Sequence, residues 1–322
     1  MNEKLYGSID IGGTKIRMGL VDRGGNILFR KMFLMPKNKT WEKILEIIVT
    51  VFSDMLHEAR CSFRRLYGIG IGCPGTFDGK REVISFAPNL KWRSVPIKSF
   101  LEERLPAPIW LENDTNLSTI GVAAFGEGKH VNTLIGIFIG TGIGGGIILD
   151  KELFIGSTGG AGEVGHMIVK ENGPLCNCGN RGCLEAIAST RAIYERIYRQ
   201  YARRYKEKNI FLDFKNNTDK SHAIKSAYYG GEAIAKKILN QAFFSLGVGI
   251  INLINVFNPD MIVFGGGLSE TMGDVMIEQV NEVVKQHAMP GTFEEVKIIC
   301  TGLGEDAPIF GGAALVEMKR NT

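Results

Sequence analysis

The sequence predicts an α/β fold of two similar halves, because a strand, glycine turn and strand pattern occurs twice in the chain. Residues 134–150 align without a gap on residues 6–22, and the alignment places Gly140 on Gly12. Strands and helices are predicted to alternate after each copy, which is typical of α/β domains. The chain has 322 residues, whereas single cores stop growing near about 250–300 residues. We therefore expect two similar domains that face each other.

The first half is predicted to open with a three-stranded antiparallel meander, because three apolar runs are separated by glycine turns. A crossover helix follows, where apolar residues recur at helical spacing. The predicted strands are Leu5 to Asp10, Ile16 to Val21, a run from Ile27, Tyr67 to Gly72 and Pro108 to Leu111, and the predicted helices are Thr40 to Ala59 and a segment from Leu117.

The first glycine turn is a candidate phosphate site. Backbone amides exposed by Gly12, Gly13 and Thr14 can bind phosphate oxygens. Asp10, at the end of the first strand, is placed to hold a metal ion or its waters. A Gly-Gly-Thr turn also forms plain hairpins, so the motif alone leaves both interpretations open. The second copy, at residues 140–145, favours the phosphate interpretation, since two such loops across one cleft would hold a triphosphate.

Polar residues near the ends of two further strands are candidate substrate contacts. Asn89 lies in a loop from which it can reach a substrate hydroxyl, and a plain turn-forming asparagine is the alternative. The polar run 112–116 follows an apolar strand, and an N-cap explains one of its residues. Asp114 is the candidate general base. A carboxylate within reach of a bound hydroxyl can take its proton during phosphoryl transfer.

The second half contains another glycine-rich strand end. The strand Met261 to Phe264 is followed by Gly265, Gly266 and Gly267, whose bare backbone permits close approach of a nucleotide. The basic stretch Ala188 to Lys208 is predicted to be helical; such a helix can bind nucleic acid or membrane, but a solvated helix face is favoured. The other predicted elements are helices within Gly231 to Phe257, a strand at Val296 to Cys300 and a closing helix to about Met318.

One imidazole and three thiols follow the order His-x9-Cys-x-Cys-x4-Cys, at His166, Cys176, Cys178 and Cys183. This donor set predicts a Cys3His zinc site of the closed, structural type. Four protein ligands leave no open position for an activated water, so the metal is expected to hold a loop in place. Buried thiols or a disulfide are the alternative. They are disfavoured because Cys-x-Cys is too short to close comfortably and nothing directs the chain to an oxidising compartment.

Two acids flank this cluster. Glu163 precedes His166 by three positions, and Glu185 follows Cys183 by two. Carboxylates held on a metal-stapled loop can accept hydrogen bonds from several hydroxyls, which are the groups that a sugar presents. Solvated surface acids are the alternative interpretation.

The composition is that of an ordinary soluble protein, with 44% hydrophobic and 22% charged residues. A net charge of +4 does not argue for nucleic acid and is compatible with an anionic small ligand. We see no apolar signal segment before the first strand, and the most apolar window, Phe243 to Phe257, is too short to span a bilayer. We expect a cytoplasmic protein with neither nucleic acid nor membrane as partner.

Together these motifs resemble the ROK family (repressor, open reading frame, kinase) of bacterial sugar kinases, within the actin-like ATPase superfamily. The most specific element is the segment 162–166 with the three cysteines after it, whereas the segment 10–15 is shared with unrelated proteins. The resemblance implies a two-domain actin-like ATPase (ribonuclease H-like) fold with duplicated βββαβαβα units and an interdomain cleft. Residues 1–116, with a C-terminal helix at about 303–322, would form the smaller domain, and residues 117–302 the larger one with the zinc loop.

The resemblance also implies ATP-dependent phosphorylation of a hexose at its 6-hydroxyl, with ATP, Mg²⁺ and structural Zn²⁺, in a homodimer or homotetramer. Asp114 would be the base, and the sugar contacts would be Asn89, Asn113, Asp114, Glu163, His166 and Glu185. Asp10 would serve Mg²⁺, and the nucleotide would be held by Gly12, Gly13, Thr14, Lys15, Gly140, Thr141, Gly142, Gly144, Gly145, Gly265, Gly266 and Gly267. Glucose is the first choice of acceptor. Mannose, fructose, allose, N-acetylglucosamine and N-acetylmannosamine stay open, since one stereocentre or substituent separates them.

Two other classes of protein share parts of the pattern. Sugar-responsive regulators that resemble this family carry an additional N-terminal helix-turn-helix, and because the first strand is predicted at about Leu5, we expect no such domain here. An actin-like ATPase would share the phosphate loops but would not need Glu163, Glu185 or a zinc-held loop. The chain also departs from the family pattern twice: the segment 116–119 is more polar than the usual Ala-rich helix start, and Pro308 stands where glycine is frequent.

Overall fold

The computed structural model describes residues 4–37, 39–204 and 219–320. The chain divides into two compact units. Unit 1 contains residues 1–130, 146–162 and 305–322, and unit 2 contains residues 131–145 and 163–304. Unit 1 therefore includes residues 117–130 and 146–162, which the expected boundary at 116 assigns to the larger C-terminal domain.

Strands and helices alternate along the described residues. The strands are β1 Leu5–Ile11, β2 Lys15–Val21, β3 Ile27–Leu34, β4 Leu66–Cys73, β5 Thr76–Phe77, β6 Ile84–Ala87, β7 Trp92–Val95, β8 Ile109–Asn113, β9 Leu134–Ile139, β10 Ile143–Leu149, β11 Glu152–Leu153, β12 Met261–Gly265 and β13 Lys297–Cys300. The helices are α1 Trp41–Glu58, α2 Ile97–Glu102, α3 Asp114–Phe125, α4 Leu184–Ala188, α5 Thr190–Arg204, α6 Lys220–Tyr229, α7 Ala233–Phe257, α8 Gly267–His287 and α9 Ala307–Arg320.

Unit 1 is built on a five-stranded sheet in the order β3-β2-β1-β4-β8. The first three strands form the predicted antiparallel meander, and β4 runs parallel to both β1 and β8. β1 is buried along its whole length, as expected of a strand covered on both faces. Asp10 pairs with Gly72, and Gly72 pairs with Glu112. The carboxyl ends of three strands therefore meet at one edge of the sheet.

Helices pack closely on this sheet. α1 begins after its cap residue Thr40, whose side chain accepts a hydrogen bond from the Lys43 amide, and its apolar face joins the core of unit 1. α3 and α9 approach so closely that a Cβ on Gly121 would meet the Ala307 carbonyl oxygen, and one on Gly311 would meet that of Leu117. This contact explains why α3 belongs to unit 1.

Unit 2 contains the parallel strands β9, β12 and β13, with β12 between the other two. The full sheet has the order β11-β10-β9-β12-β13, and the division between the units passes through β10. Among the described helices, α7 is long and apolar enough to cross a membrane by length and composition alone, yet 56% of its most apolar window is buried. Phe243, Leu246 and Ile250 are buried, which is also what a core helix of a soluble protein shows.

Several elements differ from the prediction. α3 begins at Asp114 and not at Leu117, because Asn113 caps the helix by accepting hydrogen bonds from the amides of Thr115 and Asn116. The predicted helix Ala188 to Lys208 corresponds to α5, which begins at Thr190, while α4 ends at Ala188. Residues 205–208 lie outside the described residues, as do residues 211–218 of a polar loop that the sequence predicts over Phe211 to Lys220, and α6 begins at Lys220. The three-stranded sheet β5-β6-β7 and helices α2 and α8 have no counterpart in the prediction.

Candidate functional site

Two carboxylates flank Gly72 in unit 1. A Cβ on Gly72 would lie 3.6 Å from Asp10 Oδ1 and 3.4 Å from Asp114 Cα, so the bare glycine leaves room for both acids. Asp114 is the first residue of α3, where the helix dipole favours negative charge. Its Oδ1 accepts a hydrogen bond from the Thr115 amide at 2.9 Å. The predicted base and the predicted magnesium residue are thus neighbours.

The Asp10 carboxyl is strongly perturbed. Burial raises its pKa to about 7, the Asp114 carboxylate adds to the rise, and Arg17 opposes it. Arg17 Nη1 lies 3.2 Å from Asp10 Oδ2, and Arg17 Nη2 donates to Glu305 Oε1 at 2.8 Å. Lys15 Nζ donates to the same Glu305 oxygen at 3.1 Å. Two hard oxygen donors beside each other suit a divalent cation such as Mg²⁺. Arg17 and Glu305 are members of this network that the sequence analysis missed.

Glu112 is an anchor of the loop that carries Asp114. It is 3% exposed, and its Oε1 accepts hydrogen bonds from Arg81 Nη1, from the Asn113 amide at 2.9 Å and from Asn116 Nδ2 at 2.9 Å. An oxygen that already accepts three hydrogen bonds, one of them from a cation, has no lone pair left for a substrate hydroxyl. This occupancy leaves Asp114 as the better candidate base in the run 112–116.

The first glycine turn lies against Asn89. The Gly12 amide donates to the Lys15 carbonyl oxygen at 3.0 Å, and a Cβ on Gly12 would lie 2.8 Å from that oxygen, so the turn requires glycine. A Cβ on Gly13 would lie 3.7 Å from Asn89 Cβ. The carbonyl oxygen of Thr14, in the same turn, accepts a hydrogen bond from Met35. The predicted phosphate turn and a predicted sugar contact are therefore adjacent in unit 1.

In unit 2 the four predicted metal ligands converge. The ligand atoms of His166, Cys176, Cys178 and Cys183 all lie within 4.8 Å of one another. Cys176 Sγ is 3.7 Å from His166 Nδ1, and Cys178 Sγ is 3.6 Å from Cys183 Sγ. Sulfurs bound tetrahedrally to one zinc ion are about 3.8 Å apart. All six cysteines are free thiols in the structure, and the spacing and chemistry of these four donors fit a zinc ion.

The two predicted acids lie on either side of this cluster. The ring nitrogen of His166 that faces away from Cys176, Nε2, is 3.9 Å from Glu163 Oε2. Glu185, in α4, accepts a hydrogen bond from the Ile143 amide at 3.0 Å. A Cβ on Gly142 would overlap the same carboxylate oxygen. Glu185 therefore joins the cysteine-rich loop to the second glycine turn, a connection that the sequence analysis did not predict.

The second glycine turn is held by backbone contacts. The Gly140 amide donates to the Gly142 carbonyl oxygen at 2.9 Å, and the Gly140 carbonyl oxygen accepts from Thr190 at 3.0 Å. Thr141 lies in this turn, whereas Gly144 and Gly145 lie within strand β10 and not in a loop.

The run Gly265 to Gly267 joins β12 to α8. Gly266 has a φ of 86°, and a Cβ there would lie 2.6 Å from the Ile139 carbonyl oxygen, so glycine is required. α8 is 21 residues long and begins at Gly267. Its amino-terminal N–H groups and dipole favour an anion. Because Gly265 pairs with Phe138 on β9, this helix start lies near the second glycine turn.

Comparisons with known proteins agree with this architecture. The family model described as ROK family matches residues 6–319. The glucokinase of Halalkalibacterium halodurans is 33% identical over 100% of this chain and 98% of its own length. The xylose repressor of Caldicellulosiruptor bescii is 32% identical over 96% of this chain and 77% of its own length. A crystal structure of a ROK family glucokinase from Streptomyces griseus, in complex with glucose and AMPPNP, has a TM-score of 0.83 and 31% identity, covering 98% of this chain and 99% of that one. These matches confirm the predicted actin-like α/β fold.

Proposed function

This chain belongs to the ROK family, and we propose that it is a hexose kinase that transfers the γ-phosphoryl group of ATP to the 6-hydroxyl of a hexose. The observation that carries the proposal is the pair Asp10 and Asp114 beside Gly72, at the end of three strands of unit 1. One acid can serve a cation and the other a hydroxyl proton. The similarity to glucokinases over nearly the whole chain supports the same activity and makes glucose the first candidate acceptor.

In the proposed reaction, Asp114 accepts the proton of the hexose 6-hydroxyl. The hydroxyl oxygen forms a bond to the γ-phosphorus as the bond from that phosphorus to the β,γ-bridging oxygen breaks, and ADP leaves with the electron pair. The transition state of phosphoryl transfer is loose, so alignment of the reactants and neutralisation of charge matter most. Asp114 is the first residue of α3, where the helix dipole favours negative charge, and the Thr115 amide that donates to its Oδ1 restricts the direction of the carboxylate.

The proposed phosphate contacts are the backbone amides of the first glycine turn and the Lys15 ammonium group in unit 1. In unit 2 they are the second glycine turn and the amino terminus of α8, which follows Gly265 and Gly266. When bound, Mg²⁺ supplies charge neutralisation at the phosphate oxygens. Asp10 would hold it, directly or through water.

The proposed sugar contacts are hydrogen-bonding groups that suit hydroxyls, namely Asn89, Asn113, Glu163, His166 Nε2 and Glu185. Structural zinc, bound by His166 Nδ1 and the three cysteines, would fix the orientation of the imidazole ring so that Nε2 is presented to a hydroxyl. The metal would have no direct part in phosphoryl transfer, because four protein ligands close its coordination sphere.

The proposal is tested by a coupled assay of ADP release with Mg-ATP, on zinc-replete protein, against a panel of hexoses and N-acetylhexosamines. We expect release that depends on one sugar and forms its 6-phosphate, identified by mass spectrometry and NMR. ADP release that does not depend on sugar would instead indicate an actin-like ATPase. We also propose a cytoplasmic location and a homodimer or homotetramer, which light scattering would measure.

A sugar-responsive regulator is the second candidate, because a xylose repressor matches 96% of this chain. The two candidates differ in the consequence of sugar binding. A kinase releases ADP and sugar phosphate, whereas a regulator binds the sugar without turnover and changes its affinity for an operator. Calorimetry with each sugar, beside the ADP assay, separates them: tight binding of a sugar with no ADP release would favour the regulator.

A further inference from the structure

The turn between β5 and β6 places one arginine in an unusual backbone conformation. Arg81 has a φ of 55°, in the left-handed region of backbone conformation that residues other than glycine rarely adopt. The turn is firmly built, since the Arg81 amide donates to the Asp78 carbonyl oxygen at 2.9 Å and Asp78 Oδ1 accepts from Glu82 and Val83. A strained non-glycine residue in a well-ordered turn points to a role for its side chain.

The Arg81 side chain reaches the carboxylate that anchors the Asp114 loop. Its guanidinium forms an ion pair with Glu112, and the two side chains are 17% and 3% exposed. The face of the Phe77 ring lies 5.8 Å from Arg81 Cζ and restricts the guanidinium further. Arg81 and Glu112 are 31 positions apart in the chain, so this pair ties the small β5-β6-β7 sheet to the end of β8.

Glu112 holds the chain on both sides of Asp114 by hydrogen bonds. The same oxygen that meets Arg81 accepts from the Asn113 amide and from Asn116 Nδ2, each at 2.9 Å. Asp114 lies between these two donors in the chain, and Asn113 also caps α3. The direction of the Asp114 carboxylate therefore depends on Glu112 staying in place. Without the Arg81 cation, the Glu112 carboxylate would be an uncompensated buried charge, and a shift of the side chain toward water would relieve it.

We propose that Arg81 is a positioning residue for the kinase reaction, which acts through Glu112 to fix the backbone and the carboxylate of Asp114. This inference rests on the proposed function, since it assigns a purpose to the Arg81–Glu112 pair in that reaction. It also gives the polar start of α3 a purpose, because Asn116 is part of the same network. Arg81 itself is not a catalytic residue, because it acts on the reaction only through Glu112.

The test compares Arg81→Met with Arg81→Lys, which keeps a cation able to reach Glu112 but lacks the planar fork. We expect Arg81→Met to lower kcat about 10- to 100-fold, as misplacement of a catalytic group by about 1 Å does, while KM for Mg-ATP changes less than about twofold. Arg81→Lys should recover at least about a third of the lost rate, since it restores the charge.

Arg93→Met is the matched control. Arg93 is exposed, lies on β7 of the same small sheet and stacks 4.6 Å over Phe86, so its loss should leave kcat within about twofold.

Amide hydrogen exchange supplies a readout that does not depend on turnover. In Arg81→Met, exchange should accelerate at Asn113, Thr115 and Asn116 but not along α9. Suppose that the wild-type protein is active and that Arg81→Met has the same kcat per folded molecule but a lower melting temperature. This result would contradict the role of Arg81 in positioning Asp114 and would leave the proposed kinase function standing. If the wild-type protein shows no hexose-dependent ADP release, the proposed kinase function and the inference about Arg81 are both contradicted.

Discussion

The two copies of the duplicated hairpin share a backbone plan and differ in chemistry. In unit 1 the glycine turn stands between charged residues, and Asp10, Lys15 and Arg17 join one ion-pair network with Glu305. The positions that align with these three residues in unit 2 are Phe138, Ile143 and Gly145. The second turn is instead held by the Thr190 amide, which donates to the Gly140 carbonyl oxygen, and by the Ile143 amide, which donates to the Glu185 carboxylate.

This difference indicates how a duplicated element is divided between two tasks. Glycine turns supply backbone amides for phosphate in either copy, whatever the side chains around them. Charge near a reacting phosphate needs side chains, and only the copy in unit 1 provides them at the positions compared. In our proposal unit 1 therefore carries the chemistry, and the turn in unit 2 binds phosphate and supports Glu185.

The replacement Asp114→Asn should have the largest effect, because it removes the base and keeps the shape of the side chain. We expect kcat to fall about 10²- to 10⁴-fold, the usual contribution of general base catalysis. The hexose dissociation constant, measured by calorimetry, should change less than about threefold, since the amide still forms hydrogen bonds. Turnover near the wild-type rate would exclude Asp114 as the base.

Cys183→Ser tests the metal cluster of unit 2 and should have the next largest effect. We expect loss of the bound zinc, measured by elemental analysis, and a melting temperature lower by at least about 5 °C, because a structural zinc site contributes directly to folding free energy. KM for the hexose should rise, because Glu185 follows the lost ligand by two residues and lies on α4.

The control for this experiment is Cys61→Ala. Cys61 is a buried thiol in the core of unit 1, away from the cluster, so the variant should retain its zinc. Zinc content unchanged in Cys183→Ser, or lost equally in both variants, would contradict the assigned ligand set.

The backbone of both hairpins could be predicted from the sequence, because strand periodicity and glycine turns are local signals and occur twice. The position of Asp114 near a strand end could be predicted, because the polar run 112–116 directly follows an apolar strand; its role as the base stays a prediction. The pairs Arg17–Glu305 and Arg81–Glu112 could not be predicted, since their members are 288 and 31 positions apart. Arg81 in particular stands between Lys80 and Glu82, a pattern typical of a solvated turn.

Helix boundaries and one whole helix were also beyond the sequence analysis. The sequence pattern predicts the start of α3 three residues late, because several polar residues compete for the cap position and only the structure shows that Asn113 fills it. α8 has no counterpart in the prediction, which assigns Gly265 to Gly267 to a ligand-binding turn. Met272, Met276 and Val280 nevertheless recur at helical spacing and are buried in α8.

The raised pKa of Asp10 predicts that the stability of the protein depends on pH. The aligned position in unit 2 is Phe138, which does not titrate. With a pKa of about 7 in the folded protein and about 4 in the unfolded chain, folded Asp10 binds a proton between these values while the unfolded chain does not. Its contribution to stability is therefore lost as pH rises from about 4 to 7.

In metal-free buffer, the free energy of unfolding of Asp10→Asn should rise by about 4 kcal/mol relative to that of wild type between pH 4 and pH 7.5, measured by urea unfolding. Asp54→Asn, at an exposed position of α1, should follow the wild-type curve. A difference between wild type and Asp10→Asn that stays constant across this range would contradict the raised pKa.

The smallest effect is expected in the second turn, where Gly142→Ala should move Glu185 without disturbing the fold. A Cβ at Gly142 overlaps the Glu185 carboxylate, so the side chain must rotate and lose its hydrogen bond from Ile143. We expect KM for the hexose to rise about tenfold, which corresponds to the loss of one charge-assisted hydrogen bond.

Gly140→Ala is the comparison within the same turn, because a Cβ there has no atom within 4 Å. This variant leaves Glu185 in place, so KM for the hexose should change less than about twofold, and any effect should fall on KM for ATP. If both variants change KM for the hexose equally, Glu185 does not contact the sugar. In that case the turn in unit 2 would bind the nucleotide alone. The two hairpins would then differ in the charge of their side chains, but both would bind the phosphates of the nucleotide.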